Sequence, residues 1–145
     1  MYEKILIPTD GSALSAKAIA QGVGLARATG AKVMGIVVSV PFHTFALDPM
    51  MVSDTSETYK VDCEARAERL LGFVKSAAEA VGVPCAVEHV IAEHPYETII
   101  DTANHKGCDL IFMASHGRKG MSAVLLGSET VKVLTHSKIP VLVCR

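Results

Sequence analysis

The chain has no surplus of either charge, no long apolar run and no paired cysteine motif, and each shortage argues against a class of function. Fourteen Lys and Arg residues against fifteen Asp and Glu leave a formal charge of −1 over 145 residues. A protein without a cationic field lacks the electrostatic attraction that supplies most non-specific nucleic-acid affinity, which argues against DNA or RNA binding. No apolar stretch approaches the roughly 20 residues that a bilayer-spanning helix needs. Met1-Tyr2-Glu3-Lys4 leads directly into Ile5-Leu6-Ile7, without the layout of a signal peptide, so the expected location is cytoplasmic. Cys63, Cys85, Cys108 and Cys144 are separated by 22, 23 and 36 residues, which matches no CxxC metal or redox spacing. They read as reduced thiols, in the core or half-buried. The six histidines are equally scattered; a metal site could be assembled from His89 and His94, but structural or solvated roles are the plainer reading.

Several catalytic signatures are missing as well. There is no G-x4-G-K-[ST], which excludes a P-loop NTPase. Gly22-Val23-Gly24 resembles the start of a dinucleotide fingerprint but falls inside a helical stretch, not in a strand-to-helix turn. No G-x-S-x-G elbow surrounds a serine, so the adjacent Ser115-His116 pair gives no hydrolase triad. His94-x-x-Glu97 lacks the rest of a zincin signature.

What is present is a regular alternation of strand and helix. At 50% hydrophobic and 20% charged residues, the chain is long enough for one compact domain, taken as residues 1–145. Lys4 to Pro8 and Lys32 to Val40 are continuous apolar runs of β-formers, as expected for parallel strands buried on both faces. Between them Thr9-Asp10-Gly11-Ser12 supplies a turn with Ser12 as N-cap, and Ile19, Val23 and Ala26 mark a helix that stops at Gly30. Residues 41–58 read as a long, mobile crossover. Ala67, Leu71, Val74, Ala78 and Val81 mark a second helix closed by Gly82 and Pro84, and Cys85 to Ile91 reads as the third strand. Pro95 at N1 begins a helix whose apolar face is Tyr96, Ile99, Ile100 and Ala103, ended by Gly107. Asp109 to Ala114 is the fourth strand. Gly127-Ser128 opens a last helix through Val131 and Leu134, and Pro140 to Cys144 is the fifth strand. The pattern predicts an α/β fold, a single doubly wound domain with a parallel sheet and helices on both faces. Ligands of such sheets lie beyond the carboxyl ends of the strands, at the switch point.

The chemistry-bearing residues fall at those ends. Asp10, directly after the first strand, can accept hydrogen bonds from a ribose hydroxyl or an adenine amino group, or can simply form the turn beside Gly11. Gly117 and Gly120 suit a loop whose backbone approaches phosphate oxygens or takes φ > 0, or an ordinary flexible loop. Gly127-Ser128 offers helix N-terminal N–H groups to an anion, although an N-cap role explains Ser128 alone equally well. Arg118 and Lys119 either neutralise phosphate charge or are merely solvated. Glu129 competes with an anion for the same helix end, or holds a magnesium ion beside it.

Ile7-Pro8-Thr9-Asp10-Gly11-Ser12, Asp109-Leu110-Ile111 before the Met113 turn, Gly127-Ser128 and Ile139-Pro140-Val141-Leu142-Val143, taken in order along the whole chain, resemble the universal stress protein family. The resemblance implies a five-stranded parallel sheet of order 3-2-1-4-5 and a homodimer joined through the C-terminal strand, 140–144. In one large subgroup it also implies an ATP site with the signature G-x-x-G, nine residues, G-[ST]. Here the signature reads Ala114-Ser115-His116-Gly117, nine residues, Gly127-Ser128, with alanine in place of the first glycine. By resemblance Pro8, Thr9, Asp10 and Val38 would flank the adenine and ribose. Met113, Ala114, Ser115, His116, Gly117, Arg118 and Gly120 would wrap the ribose and phosphates, and the backbone N–H groups of Gly127, Ser128 and Glu129 would receive the phosphates. The implied function is a stress-response protein that binds ATP, with or without Mg, and acts as a nucleotide-dependent regulator or scaffold. Slow hydrolysis, or autophosphorylation with Ser115 or Ser128 as acceptor, would be its only chemistry. The alternative is the family's dimeric interaction module that binds no nucleotide. An ATP-pyrophosphatase would want an S-G-G-x-D-S loop after the first strand, where Thr9-Asp10-Gly11-Ser12 stands instead.

Overall fold

The fold is that of a computed structural model, in which residues 1–45, 56–117 and 125–145 are described. Along the chain run β1 (Lys4–Pro8), α1 (Ala13–Thr29), β2 (Lys32–Ser39), the short α2 (Phe42–Phe45), α3 (Ser56–Ala80), β3 (Cys85–Ile91), α4 (Pro95–His105), β4 (Leu110–Ala114), α5 (Ser128–His136) and β5 (Val141–Cys144). The strands form one parallel sheet in the order β3-β2-β1-β4-β5, as the resemblance implied.

The apolar runs explain this layout. Ile5, Leu6 and Ile7 are fully buried, because β1 lies at the centre of the sheet with a helical layer on either face. Ile5, Ile7 and Val33 pack with Ala18, Ile19 and Val23 of α1 and with Val74 and Ala78 of α3. Leu6, Met34, Ile36 and Ile111 pack on the other face with Ile99 and Ala103 of α4 and Val133 of α5. Each buried Ile, Leu, Val or Met among them contributes roughly 1.5–3 kcal/mol. Gly22 of α1 lets the helix lie close on the sheet: a methyl group there would sit 2.7 Å from Ile7 Cδ1. Gly22 is therefore a packing glycine, whereas nothing lies within 4 Å of a Cβ on Gly24.

Asp109 ties the start of β4 to that of β1. Its carboxylate accepts from the N–H of Glu3 at 2.8 Å and of Lys4 at 3.0 Å. Partial burial works against the ionised form, but the donated N–H groups of Lys4 and Glu3 outweigh it and hold the pKa below the ordinary value.

Two expectations need correction. The crossover expected over 41–58 is helical at both its ends, since α2 takes up 42–45 and α3 begins at Ser56; residues 46–55 lie outside the described ones. Polar residues hid the first turns of α3, where the residues that face the protein are only Tyr59, Cys63 and Arg66, each half-buried. In α5 the buried residues are Thr130 and Val133, whereas the expected markers Val131 and Leu134 are 44% and 40% exposed.

Candidate functional site

β2 and β3 extend from β1 in one direction and β4 and β5 in the other, so the switch point lies between the carboxyl ends of β1 and β4. The turn after β1 is fixed from within. Ser12 N donates to Asp10 Oδ1 at 3.0 Å, Ser15 N donates to the N-cap Ser12 Oγ at 3.1 Å, and Thr9 Oγ1 lies 3.2 Å from Ser15 Oγ. Gly11 has φ +83°, a left-handed conformation open to glycine at little cost. Thr9 N donates to Ile36 O at 2.9 Å, which carries sheet pairing one residue past Pro8.

The loop after β4 closes on this turn. A methyl group at Gly117 would sit 2.2 Å from Asp10 Oδ2, a separation no side chain tolerates. Gly117 has no positive φ; space, not conformation, demands glycine there. Gly127 is constrained in the same way from the other side, since a Cβ on it would lie 3.0 Å from His116 Cα. The N–H of Gly127, expected to face an anion, instead donates to Ser115 O at 2.7 Å. Gly127 is the N-cap of α5 and makes no side-chain cap. Among the described residues, no hydrogen bond occupies the N–H groups of Ser128, Glu129 and Thr130, the first-turn donors that a helix cannot satisfy internally. Helix-end donors of this kind attract anions.

Ala114 stands where the signature has its first glycine, and its place in the fold is clear. It is the last residue of β4, opposite Cys144, without positive φ. Its methyl group belongs to the core cluster on the α1 face, with Ala18, Ile19, Phe112 and Cys144. Its carbonyl accepts from the buried Thr130 Oγ1 at 2.9 Å. Met113, next to it, faces the opposite layer, where Val38 also packs. Ser115 is buried, its N–H donating to Cys144 O at 2.8 Å and its Oγ lying 3.2 Å from His116 Nδ1.

The Glu129 carboxylate is directed away from its own helix end. Oε2 accepts from Tyr96 N at 2.9 Å, in the first turn of α4, whose N-cap His94 supplies no side-chain bond. Oε1 lies 3.4 Å from Lys132 Nζ. The competition read from the sequence gives way to a cap on α4. Arg118 and Gly120 lie outside the described residues. Among those described, no group of three or more His, Cys, Asp and Glu is placed to hold a metal ion; His89 Nε2 lies 2.9 Å from Ser39 Oγ. Cys63 and Cys85 are half-buried and Cys108 and Cys144 buried, and burial raises the thiol pKa of Cys85 and of Cys108.

Three participants carried no sequence signal. Thr130 reads as an ordinary helix residue. Arg66 reaches Asp10 O with Nη2 from 56 residues further along the chain, and Tyr59 OH donates to Val40 O at 2.6 Å. Only the completed α3 brings them to the strand ends. A groove of about 360 Å³ lined by Ala13, Leu14, Lys17, Ser115, His116 and Arg145 opens on the α1 side of the β4 loop. A larger one, about 430 Å³, lies between α3 and β3, away from the switch point. No helix among the described residues is long and apolar enough to cross a membrane.

The sequence profile of the universal stress protein family matches residues 1–145. The chain is 32% identical over 145 residues to universal stress protein MJ0531 of Methanocaldococcus jannaschii, covering all of this chain and 83% of that one. It is 30% identical over 149 residues to universal stress protein YxiE of Bacillus subtilis, covering both in full. The solved structure of MJ0577 from Methanocaldococcus jannaschii superposes with a TM-score of 0.83 at 28% identity, over 99% of this chain and 96% of that one. A universal stress protein solved with cAMP (TM-score 0.73, 22% identity, 99% and 98% covered) and one from Archaeoglobus fulgidus solved with dAMP (0.67, 18%, 99% and 98%) share the fold.

Proposed function

The chain belongs to the universal stress protein family, and on that premise we propose that it binds an adenine nucleotide, ATP, at the switch point and acts as a nucleotide-dependent regulator or scaffold in the stress response. The observation that carries this reading is the meeting of three backbone features at one place: Gly117 laid on the Asp10 carboxylate, Gly127 laid on His116, and an α5 N-terminus with free first-turn donors. The free donors suit a phosphate, and the close packing of the two glycines brings both loops to the same helix end. Asp10 and Val38, with Pro8 and Thr9, would flank adenine and ribose; Met113 to Gly117 would wrap the ribose and phosphates. The N–H groups of Ser128 and Glu129 would receive phosphate, with Gly127 letting the loop after β4 lie against the α5 N-terminus. The methyl group of Ala114 packs in the core and leaves the cradle open. Some fold neighbours were solved with adenine nucleotides, which supports the ligand class.

The same proposal takes residues 1–145 as one universal stress protein domain, cytoplasmic and homodimeric. β5 ends the sheet with one unpaired edge, and Leu142 on it is 38% exposed; an edge of this kind is satisfied by pairing with a second copy across a twofold axis. The proposal includes at most slow turnover of the bound nucleotide. The test is to denature freshly purified protein and identify the released small molecules by mass spectrometry, then to melt the protein with and without added ATP. Released ATP or ADP near one per chain, or a raised Tm, supports the reading. No nucleotide and an unmoved Tm would leave the nucleotide-free dimeric module in its place.

A further inference from the structure

The first turns of α3 run along the surface of the described structure. From Ser56 to Arg66 none of its residues is buried, and the half-buried Tyr59, Cys63 and Arg66 recur at helical spacing on one face. Two of those three side chains end on backbone carbonyls at the carboxyl edge of the sheet. Tyr59 OH donates to Val40 O at 2.6 Å, with its ring against Phe42 at 5.6 Å between centroids. The Arg66 guanidinium donates to Asp10 O, and Leu70, one turn on, approaches the place where a Cβ on Gly11 would sit, at 3.0 Å. The carbonyls belong to the turns that follow β2 and β1. Asp10 lies in the second of these turns and Val38 two residues before Val40, near the end of β2; both are assigned to the adenine and ribose.

We infer that Arg66 and Tyr59 are positioning residues for the adenosine end of the site, and that nucleotide binding and the ordering of the first three turns of α3 are coupled through these two carbonyls. The inference rests on the nucleotide reading above. Asp10 is held between two elements: Gly117 stands against its carboxylate and Arg66 against its carbonyl. Removing the Arg66 donor takes away the turn's anchor to α3 while its internal bonds remain, and each adenosine ligand must then hold the Asp10 carbonyl without that anchor, which weakens binding. Coupling of this kind is reciprocal, so a nucleotide that benefits from the fixed turn also stabilises the helix that fixes it. A helical stretch in which no residue is buried opens more readily than the core, which makes the effect measurable.

Two measurements test this. In Arg66→Met, which keeps the apolar stem and removes the donors, affinity is expected to fall about tenfold, the scale of one charge-assisted hydrogen bond. The loss should be equal for ATP, ADP and AMP, be partly restored in Arg66→Lys, and be accompanied in smaller measure by Tyr59→Phe. In the unmodified protein, saturating ATP is expected to slow amide hydrogen exchange over residues 59–66. Unchanged affinity in Arg66→Met together with unchanged exchange would overturn the inference while leaving the nucleotide site intact. A loss that grows with phosphate number would also overturn it, because Arg66 would then be a phosphate-binding cation. A wild-type protein that binds no nucleotide would overturn both this inference and the reading beneath it.

Discussion

At Gly117 the two loops of the crevice come within a methyl group of each other. Gly117→Ala forces Asp10 aside, since the new Cβ would lie 2.2 Å from Oδ2. Overpacking of this kind costs about 1–3 kcal/mol, to be read from urea unfolding, and displacement of Asp10 lowers ATP affinity in the same protein. Gly24→Ala on α1 is the contrast: nothing lies within 4 Å of its Cβ, and a gain of about 0.5–1 kcal/mol is expected. Ala114→Gly restores the family signature, yet its methyl group lies in the core. We therefore expect a loss of about 0.5–1 kcal/mol without tighter ATP binding, measured by unfolding and calorimetry on one preparation. That residues 10, 117 and 127 fall at the strand ends was legible in the sequence; the reasons for their types were not. Glycine at 117 and 127 read as freedom to approach a phosphate or to take a left-handed turn, whereas the space is used first by Asp10 and His116. A loop-on-loop contact between residues 10 and 117 leaves no trace in local spacing.

At the level of elements, α4 and α5 share one carboxylate. Glu129→Ala removes the acceptor for Tyr96 N and uncaps α4, at a cost of about 0.5–2 kcal/mol, while Glu129→Gln keeps an acceptor and loses less; thermal unfolding of the pair distinguishes cap from charge. β3 and α3 meet at His89. Burial lowers its pKa from the usual 6.5, with Glu64 acting to raise it and Arg66 to lower it further. A depressed histidine adds stability that is present above pH 6.5 and lost as pH falls through the folded value. Tm is accordingly expected to decline below pH 6.5, and His89→Gln to flatten that part of the decline. Four of the strands were legible as short apolar runs, β1, buried on both faces, being the plainest, while β3 carries Glu88 and His89 among its β-formers. The first three turns of α3 were not, because their few inward residues are Tyr59, Cys63 and Arg66, which form no apolar stripe. The face of α5 was misread for a related reason: Thr130 is buried for its hydrogen bond to Ala114 O, which hydrophobic periodicity does not register.

For the whole molecule, the order β3-β2-β1-β4-β5 puts the crevice at its centre and β5 at an edge. If a second copy covers that edge, Val141→Lys with Val143→Lys converts a dimer to a monomer in light scattering while the fold persists by circular dichroism; an unchanged dimer mass removes β5 from the interface. The central claim, that a nucleotide is held between the turn after β1 and the N-terminus of α5, is tested most directly by titrating the protein with ATP in a calorimeter. The account predicts saturable binding of about one ATP per chain, with the linked rise in stability that ligation of the folded state alone produces, about 2.7 kcal/mol at a hundredfold excess over Kd. Absence of both heat and stabilisation at millimolar ATP would contradict it.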